Sequence, residues 1–519
     1  MASARFAPGR AEIGASLAAL AILCLKLGEI PGFHGDEAWL LPHVRAIAAG
    51  ERPLDGMNAY NGALHLYALW PVFESFGYRL EVLRAAGAVA AAATAAVLVA
   101  ASRLPLFGGA SPVWVTALLV SSPAFVLFSR FATEVTTLLP LLCFGGLLLI
   151  AHAFEARGAR RAWLAGTGGM SIGLASWVHV LAAAPAVAAG LALLLFAPRR
   201  TIREPALPLA AAGFLAGFSP RLLSMLAGPG AGTWTDRLAT ILSGRFARDF
   251  AAQPGVLAGG LDGGLLYQRF VGGSWIPVLP YATGALLLVT GLRLWRGRGQ
   301  RPERRELALV AFVVILADLT VVLTPALSLR YFLFVFLFAP LLLAALAAPL
   351  LAAREARTRW IARATLASVL ALNVGYVTVN YFVAFLRTGG SSSVFPLGRR
   401  QLETSNHFLR TDLLYAQLRE RGIEIVLAKD FIVLPLAGYD IAHAALRTVK
   451  IPPDRPPPLE PLLEGRPAAV VYYAGPEVYR GRVWDLRGRE SLQVGPLTLP
   501  RDDSFDPHFL VFVSRPAGP

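Results

Sequence analysis

Charge is scarce in this chain. Only 16% of its 519 residues are Asp, Glu, Lys or Arg, against 55% hydrophobic, and the mean hydropathy is +0.56. A soluble domain carries about 25% charged residues, so this composition cannot cover a water-exposed surface and places the chain in a membrane. Lysine is rarer still, occurring as Lys26, Lys429 and Lys450, so the formal net charge of +15 is almost all arginine. Such a balance often marks a nucleic-acid partner. Here the arginines fall in short loops between apolar runs, which is the pattern of membrane topology, and no nucleic acid is expected. The two cysteines, Cys24 and Cys143, both sit in apolar runs, excluding a disulfide framework and a thiolate metal site. No Gly-rich phosphate loop follows a strand, no nucleophile elbow occurs, and there is no internal repeat of fixed period.

What is abundant is apolar runs of about 20 residues, the length that crosses a hydrocarbon core roughly 30 Å thick. They predict a mainly α fold, a bundle of about eleven transmembrane spans near 11–31, 82–102, 112–128, 132–153, 163–180, 182–197, 207–226, 276–295, 307–324, 330–349 and 362–386. Arg5 and Arg10 precede the first run, which continues too far for a cleaved signal peptide and reads as a retained helix. Arginine clusters at 157–161, 199–203, 293–305 and 354–359 all become cytoplasmic if the N-terminus is inside. The same parity places 32–81, 227–275 and everything after 387 outside, in a multi-pass inner-membrane protein.

The first external segment predicts an amphipathic helix from Glu37 to Ala49, followed by an aromatic stretch (Tyr60, Tyr67, Trp70, Phe73, Phe76, Tyr78) suited to the interface. The segment 227–275 reads as a Gly-rich loop with Arg237, Arg245, Arg248 and Arg269 and one or two short helices. Gly389-Gly390-Ser391-Ser392-Ser393 reads as a linker separating a membrane domain, 1–387, from a C-terminal unit, 388–519. That unit predicts a helix near 404–421, strands near 423–428, 468–473 and 508–514, and a stiff proline connector over 452–458: a small extracytoplasmic α/β domain. Its His407, Asp412, Asp430, Asp440 and His443 have no metal-ligand spacing.

The most informative stretch is His34-Gly35-Asp36-Glu37-Ala38-Trp39, directly after the first span. Adjacent acids at a membrane surface are costly unless solvated, paired or useful. One reading is structural: Asp36 as an N-cap with Glu37 in the first helical turn. The other is catalytic, and a capped helix would hold such a carboxylate rigidly.

An apolar span, then Asp-Glu, then an amphipathic helix ending at Gly50, resembles the GT-C superfamily of membrane glycosyltransferases, which includes protein O-mannosyltransferases and lipid A aminoarabinose transferases. The resemblance continues at Tyr60-Asn61-Gly62-Ala63-Leu64-His65-Leu66-Tyr67, at Phe76-Gly77, at 80–84, at Ser122-Pro123 with Ser129-Arg130, and at Leu329-Arg330-Tyr331-Phe332. These short matches cover residues 10–350 and share one predicted side of the membrane; the tail after 390 matches no named family.

The resemblance implies Asp36 as the base for the acceptor nucleophile, with Glu37 orienting the acceptor or supporting a divalent cation, which some branches require. It implies a polyprenyl-phosphate sugar as donor and a lipid, glycan or protein of the cell envelope as acceptor. The leaving phosphate needs fixed positive charge, and the external arginines Arg84, Arg130 and Arg330 are the expected ligands, helped by His65 and Tyr60. Interfacial snorkelling among membrane lipids is the alternative role for each arginine. Glu134 is a second acid near the site or an i, i+4 partner of Arg130; His179 and Tyr331 are cavity candidates; Asp318 is either functional or paired with a neighbouring helix. A transporter or lipid flippase, or a catalytically silent scaffold, is the rival reading, without the paired half-repeats a transporter would show.

Overall fold

The computed structural model describes residues 9–56, 60–227, 245–264, 266, 279–296, 304–324, 328–391, 408–441, 444–452, 456–474, 477–479, 482–484, 486 and 488–514. Apolar side chains along 3.6-residue periods give helices α1 (Arg10–Leu23), α2 (Gly35–Ala48), α3 (Leu64–Phe76), α4 (Leu80–Ala101), α5 (Pro112–Val120), α6 (Pro123–Ser129), α7 (Leu138–Ala153), α8 (Gly158–Val178), α9 (Ala183–Phe196), α10 (Pro198–Ile202) and α11 (Ala206–Ala227). Then come α12 (Arg245–Leu261), α13 (Pro280–Arg296), α14 (Arg304–Leu323), α15 (Leu333–Leu351) and α16 (Ala356–Arg387), the last with a π-helical stretch at Tyr376–Val383.

Each predicted span has a helix, yet among the described residues five helices are long and apolar enough to cross a membrane alone: Leu80–Ala101, Ala206–Leu226, Glu306–Leu323, Leu329–Leu351 and Ala356–Arg387. The span predicted at 112–128 is broken by 61° between α5 and α6, where Ser122-Pro123 interrupts the hydrogen-bond ladder. The first predicted span stops at Leu23 rather than 31. The fourth begins at Leu138 rather than 132, because Thr136 and Thr137 turn the chain with their own hydroxyls: Thr137 Oγ1 and Thr136 Oγ1 both donate to Thr133 O, at 2.7 and 3.3 Å. Of the predicted loop 227–275, residues 228–244, 265 and 267–275, and with them Arg237 and Arg269, lie outside the described residues, as do His407, His443 and the linker's Ser392 and Ser393.

Small residues let α8 approach both neighbours. A Cβ on Gly169 or Gly173 would lie 1.9 or 2.2 Å from the α11 carbonyls of Ala210 and Phe214, and Gly213 and Gly217 return the contact on α8. Facing Gly-xxx-Gly rows are a membrane solution, since apolar lipid gives helices no hydrophobic reason to associate and close backbone packing must supply it.

The C-terminal unit holds α17 (Thr411–Glu420), α18 (Asp430–Asp440) and a four-stranded sheet of order β2-β1-β3-β8. Its strands are β1 (Ile425–Ala428), β2 (Arg447–Lys450), β3 (Ala468–Tyr473) and β8 (Phe509–Ser514), with β1 parallel to β2 and β3, and β8 antiparallel to β3. Hairpins of β4 (Glu477–Tyr479) with β5 (Arg482–Trp484), and β6 (Ser491–Val494) with β7 (Leu497–Pro500), complete the α/β unit. It sits directly on the segment before α2: Phe33 N donates to Leu409 O at 2.8 Å, Gly32 N to Gly390 O at 2.7 Å, and the Phe33 and Tyr439 rings lie 5.1 Å apart. Leu434 and Tyr439 of α18 pack on the apolar face of α2 formed by Leu40, Leu41 and Val44.

Candidate active site

The segment 24–32 between α1 and α2 delivers the Asp36 turn, and two buried arginines hold it. Arg130 donates to the carbonyls of Ile22 (3.2 Å), Leu25 (2.6 Å), Leu23 and Ile30, and its Nε meets Tyr381 Oη at 3.1 Å, within the π-helical stretch of α16. The carbonyls at the end of α1 have no intrahelical partner, and a guanidinium satisfies them and the negative end of the helix dipole. Arg84 donates to the carbonyls of Leu27 (3.1 Å), Pro31 (2.6 Å) and Gly32 (2.8 Å). Its remaining donors make a two-point pair with Glu37, Nε to Oε1 at 2.8 Å and Nη2 to Oε2 at 2.7 Å. Both arginines and Glu37 are fully buried.

Arg84 and Arg130 therefore differ from the expected phosphate ligands: their donors are taken up by the loop. Of the two roles open to Glu134, the helical pairing with Arg130 is not the one found: Arg130 donates to the carbonyls of the 22–30 segment and Glu134 accepts from Asn61. Glu37 is likewise occupied. Besides Arg84, its Oε1 accepts Ala132 N at 3.1 Å and its Oε2 accepts His34 N at 3.1 Å. The N-cap of α2 is His34, not Asp36: its Nδ1 accepts Asp36 N at 3.0 Å and Glu37 closes the reciprocal half of a capping box.

Asp36, in the first turn of α2, turns away from the Arg84–Glu37 pair to a different cation. It is ion-paired with Arg330, which sits in the 3-10 turn Leu329–Phe332 that opens α15. Burial alone would raise the pKa of Asp36, but the Arg330 charge, with His34, outweighs it and holds the carboxyl below its ordinary value. Glu134 joins them from the turn between α6 and α7: its Oε1 accepts Asn61 Nδ2 at 3.2 Å, and burial pushes its pKa up despite the attraction of Arg330. Tyr60, His179 and Tyr331 line up beside this group, with ring centroids 5.9 Å apart for Tyr60–His179 and 5.8 Å for His179–Tyr331; the Arg330 guanidinium lies 5.2 Å over the Tyr331 ring.

Backbone pairing builds this corner. Val180 N donates to Tyr60 O at 3.0 Å and Gly62 N to Val178 O at 3.1 Å, joining the first external segment to the end of α8. Gly62 is required there, because a Cβ would lie 2.0 Å from Trp177 O. The structure thus brings together Asp36, Glu134, Arg330, Tyr60, His179 and Tyr331 of the predicted residues. His65 lines a groove elsewhere on α3, and Asp318 is paired across helices, accepting Gln253 Nε2 from α12 at 3.2 Å.

Two solved structures of ArnT from Cupriavidus metallidurans are similar to this chain in fold. The form bound to undecaprenyl phosphate aligns with a TM-score of 0.57 at 13% identity over 98% of each chain, and the apo form with 0.57 at 14% over 98% of each. The fold is GT-C-like. No protein-family model and no curated protein matches the chain. At this identity the likeness speaks for the fold, and the chemistry must come from the side chains.

Within the GT-C-like fold, sequence reasoning missed Asn61 as a site residue and His34 as the cap that aims Asp36. Asn61 stood in the quoted motif, and its amide is the only short polar side chain between Tyr60 and Gly62, which was the available signal. A divalent cation does not fit at Glu37, whose two oxygens are filled by Arg84, Ala132 N and His34 N. Among the described residues no group of three or more His, Cys, Asp or Glu could hold a metal ion.

Proposed function

We propose that this protein is a glycosyltransferase that takes its sugar from a polyprenyl-phosphate carrier at the extracytoplasmic face of the inner membrane. The observation that carries the reading is the Asp36–Arg330 ion pair beside Glu134 and Asn61, a base and a phosphate ligand held against each other in a fold shared with a protein crystallised with undecaprenyl phosphate. The arginine distribution of the loops supports the sidedness.

In this mechanism the donor phosphate draws the Arg330 guanidinium away from Asp36, a charge-assisted exchange of one anion for another. The carboxylate, now without its cation, becomes a stronger base. The acceptor hydroxyl or amine attacks the anomeric carbon, its proton passes to Asp36, the bond from anomeric carbon to phosphate oxygen breaks, and polyprenyl phosphate leaves with its charge on Arg330. Attack from the face opposite the phosphate inverts the anomeric centre. Asn61 and Glu134 position the acceptor, while Glu37, Arg84 and Arg130 keep the Asp36 turn rigid. The acceptor is a lipid or glycan of the envelope, with a protein side chain as second choice.

The test is release of polyprenyl phosphate from a panel of polyprenyl-phosphate sugars by the full chain in lipid, with candidate acceptors present. Asp36→Asn is expected to lower release by about 10²–10⁴-fold. Equal release in both proteins removes Asp36 from the chemistry. No release from any donor by folded protein overturns the transferase reading in favour of a transporter or scaffold.

A further inference from the structure

His34 is an unusual helix cap. The N–H of Asp36, in the first turn of α2, has no acceptor within the helix, and His34 Nδ1 takes it at 3.0 Å. Ser, Thr, Asp and Asn are the usual caps, short side chains that reach the amide directly. An imidazole turns about a broad, soft torsion, so its neighbours must hold the ring if Nδ1 is to stay on the amide. Two rings hold it. Phe131 lies 4.5 Å from the buried His34 ring at 62°, Phe408 lies 5.1 Å from it at 53°, and the two phenyl rings meet edge-on at 5.6 Å. Phe131 stands beside Ala132, whose amide fixes Glu37 at 3.1 Å. Phe408 comes from the C-terminal unit.

We propose that Phe408 is a positioning residue for Asp36: its ring fixes the His34 cap, and through the cap the carboxylate that pairs with Arg330. Two neighbouring residues of the chain divide between two cores here. Phe408 is buried with Phe131 and Phe385 among the membrane helices, the Phe385 ring 6.2 Å away. The next residue, Leu409, is buried with Leu414 and Leu418 in the core of the C-terminal unit. At this crossing the backbones bond in both directions, Phe33 N to Leu409 O at 2.8 Å and Leu409 N to Phe33 O at 3.4 Å. The approach is so close that a Cβ on Gly32 would lie 2.3 Å from the Leu409 carbonyl carbon. The C-terminal unit thus contributes a side chain to the turn that carries Asp36, and docking alone would not require that ring. That the positioned carboxylate is a base rests on the transferase reading; the positioning itself is read without turnover.

Amide hydrogen exchange at single-residue resolution is measured on the full chain in detergent, beside release of polyprenyl phosphate. Phe408→Leu keeps apolar bulk and loses the flat ring. It is expected to speed exchange of the Asp36 amide about fivefold, the worth of one helix cap, and to lower release about tenfold. The Phe33 amide, which donates to Leu409 O and so reports docking of the C-terminal unit, should exchange as in wild type. In a His34→Asn background, where the cap needs no clamped ring, Phe408→Leu should change neither quantity by more than about twofold. An Asp36 amide unmoved by Phe408→Leu overturns the proposal. So does an equal rise at Phe33, which would make Phe408 a docking residue, and so does an effect that persists undiminished in His34→Asn. Unchanged release from a variant whose Asp36 amide is loosened overturns it as well. The coupled exchange effect in a protein that releases no polyprenyl phosphate from any donor would sink the transferase reading and leave Phe408 standing as the residue that places Asp36.

Discussion

Glu37→Gln separates holding the loop from doing the chemistry. In the native protein the Glu37 carboxylate accepts four hydrogen bonds, two from Arg84 at 2.7 and 2.8 Å and one each from the His34 and Ala132 amides at 3.1 Å. An amide keeps one acceptor oxygen and turns the other position into a donor that faces existing N–H groups. The Arg84 guanidinium then stays buried with three carbonyl partners and no counter-ion. Breaking a buried ion pair from one side costs about 3–5 kcal/mol, and here part of that falls on the segment delivering Asp36. The expected result is a large loss of stability in denaturation of the detergent-solubilised protein. Polyprenyl phosphate release per folded molecule should fall by about 10–100-fold, the penalty of an ångström-scale misplacement. A variant of native stability whose release is lost as completely as in Asp36→Asn would refute this reasoning and make Glu37 a direct participant.

Arg130→Lys keeps the charge but loses the planar fork that reaches carbonyls from Ile22 to Ile30, so two or three buried carbonyls lose partners at about 1 kcal/mol or more each; a denaturation shift in a folded, less active protein checks it. Because the folded-state pKa of Asp36 is lowered, its pair with Arg330 contributes stability above the unfolded value and loses it as pH falls through the folded value. The acid limb of kcat/KM should accordingly lie below about pH 3.9, and Arg330→Met, which leaves burial largely unopposed, should move that limb upward in a pH–rate profile. Gly62→Ala pushes a methyl into Trp177 O, costing about 1–3 kcal/mol and lowering release more than it lowers binding of undecaprenyl phosphate, measured side by side.

The membrane class, the presence of a helix at each predicted apolar run and the α/β character of the tail were legible in the sequence by itself. The reason is physical: the hydrocarbon core demands a set length of apolar residues with internally paired backbone, so spans announce themselves locally. Helix ends were less legible, as at Leu23 and Leu138, because turn hydroxyls and a broken helix cost little hydropathy.

Only the tertiary structure decided which arginine does what. Arg84, Arg130 and Arg330 look alike in sequence, each polar beside an apolar run. Arg84 and Arg130 fold inward onto orphan carbonyls, and Arg330 meets Asp36 across 294 residues. The same holds for the two adjacent acids: one turn of α2 gives Glu37 to Arg84 and Asp36 to Arg330, a difference of helical phase that composition cannot express. Hydrogen-bond satisfaction of buried polar groups is a property of the whole packed molecule, and it separated the arginines that hold the Asp36 turn from the one paired with Asp36 itself.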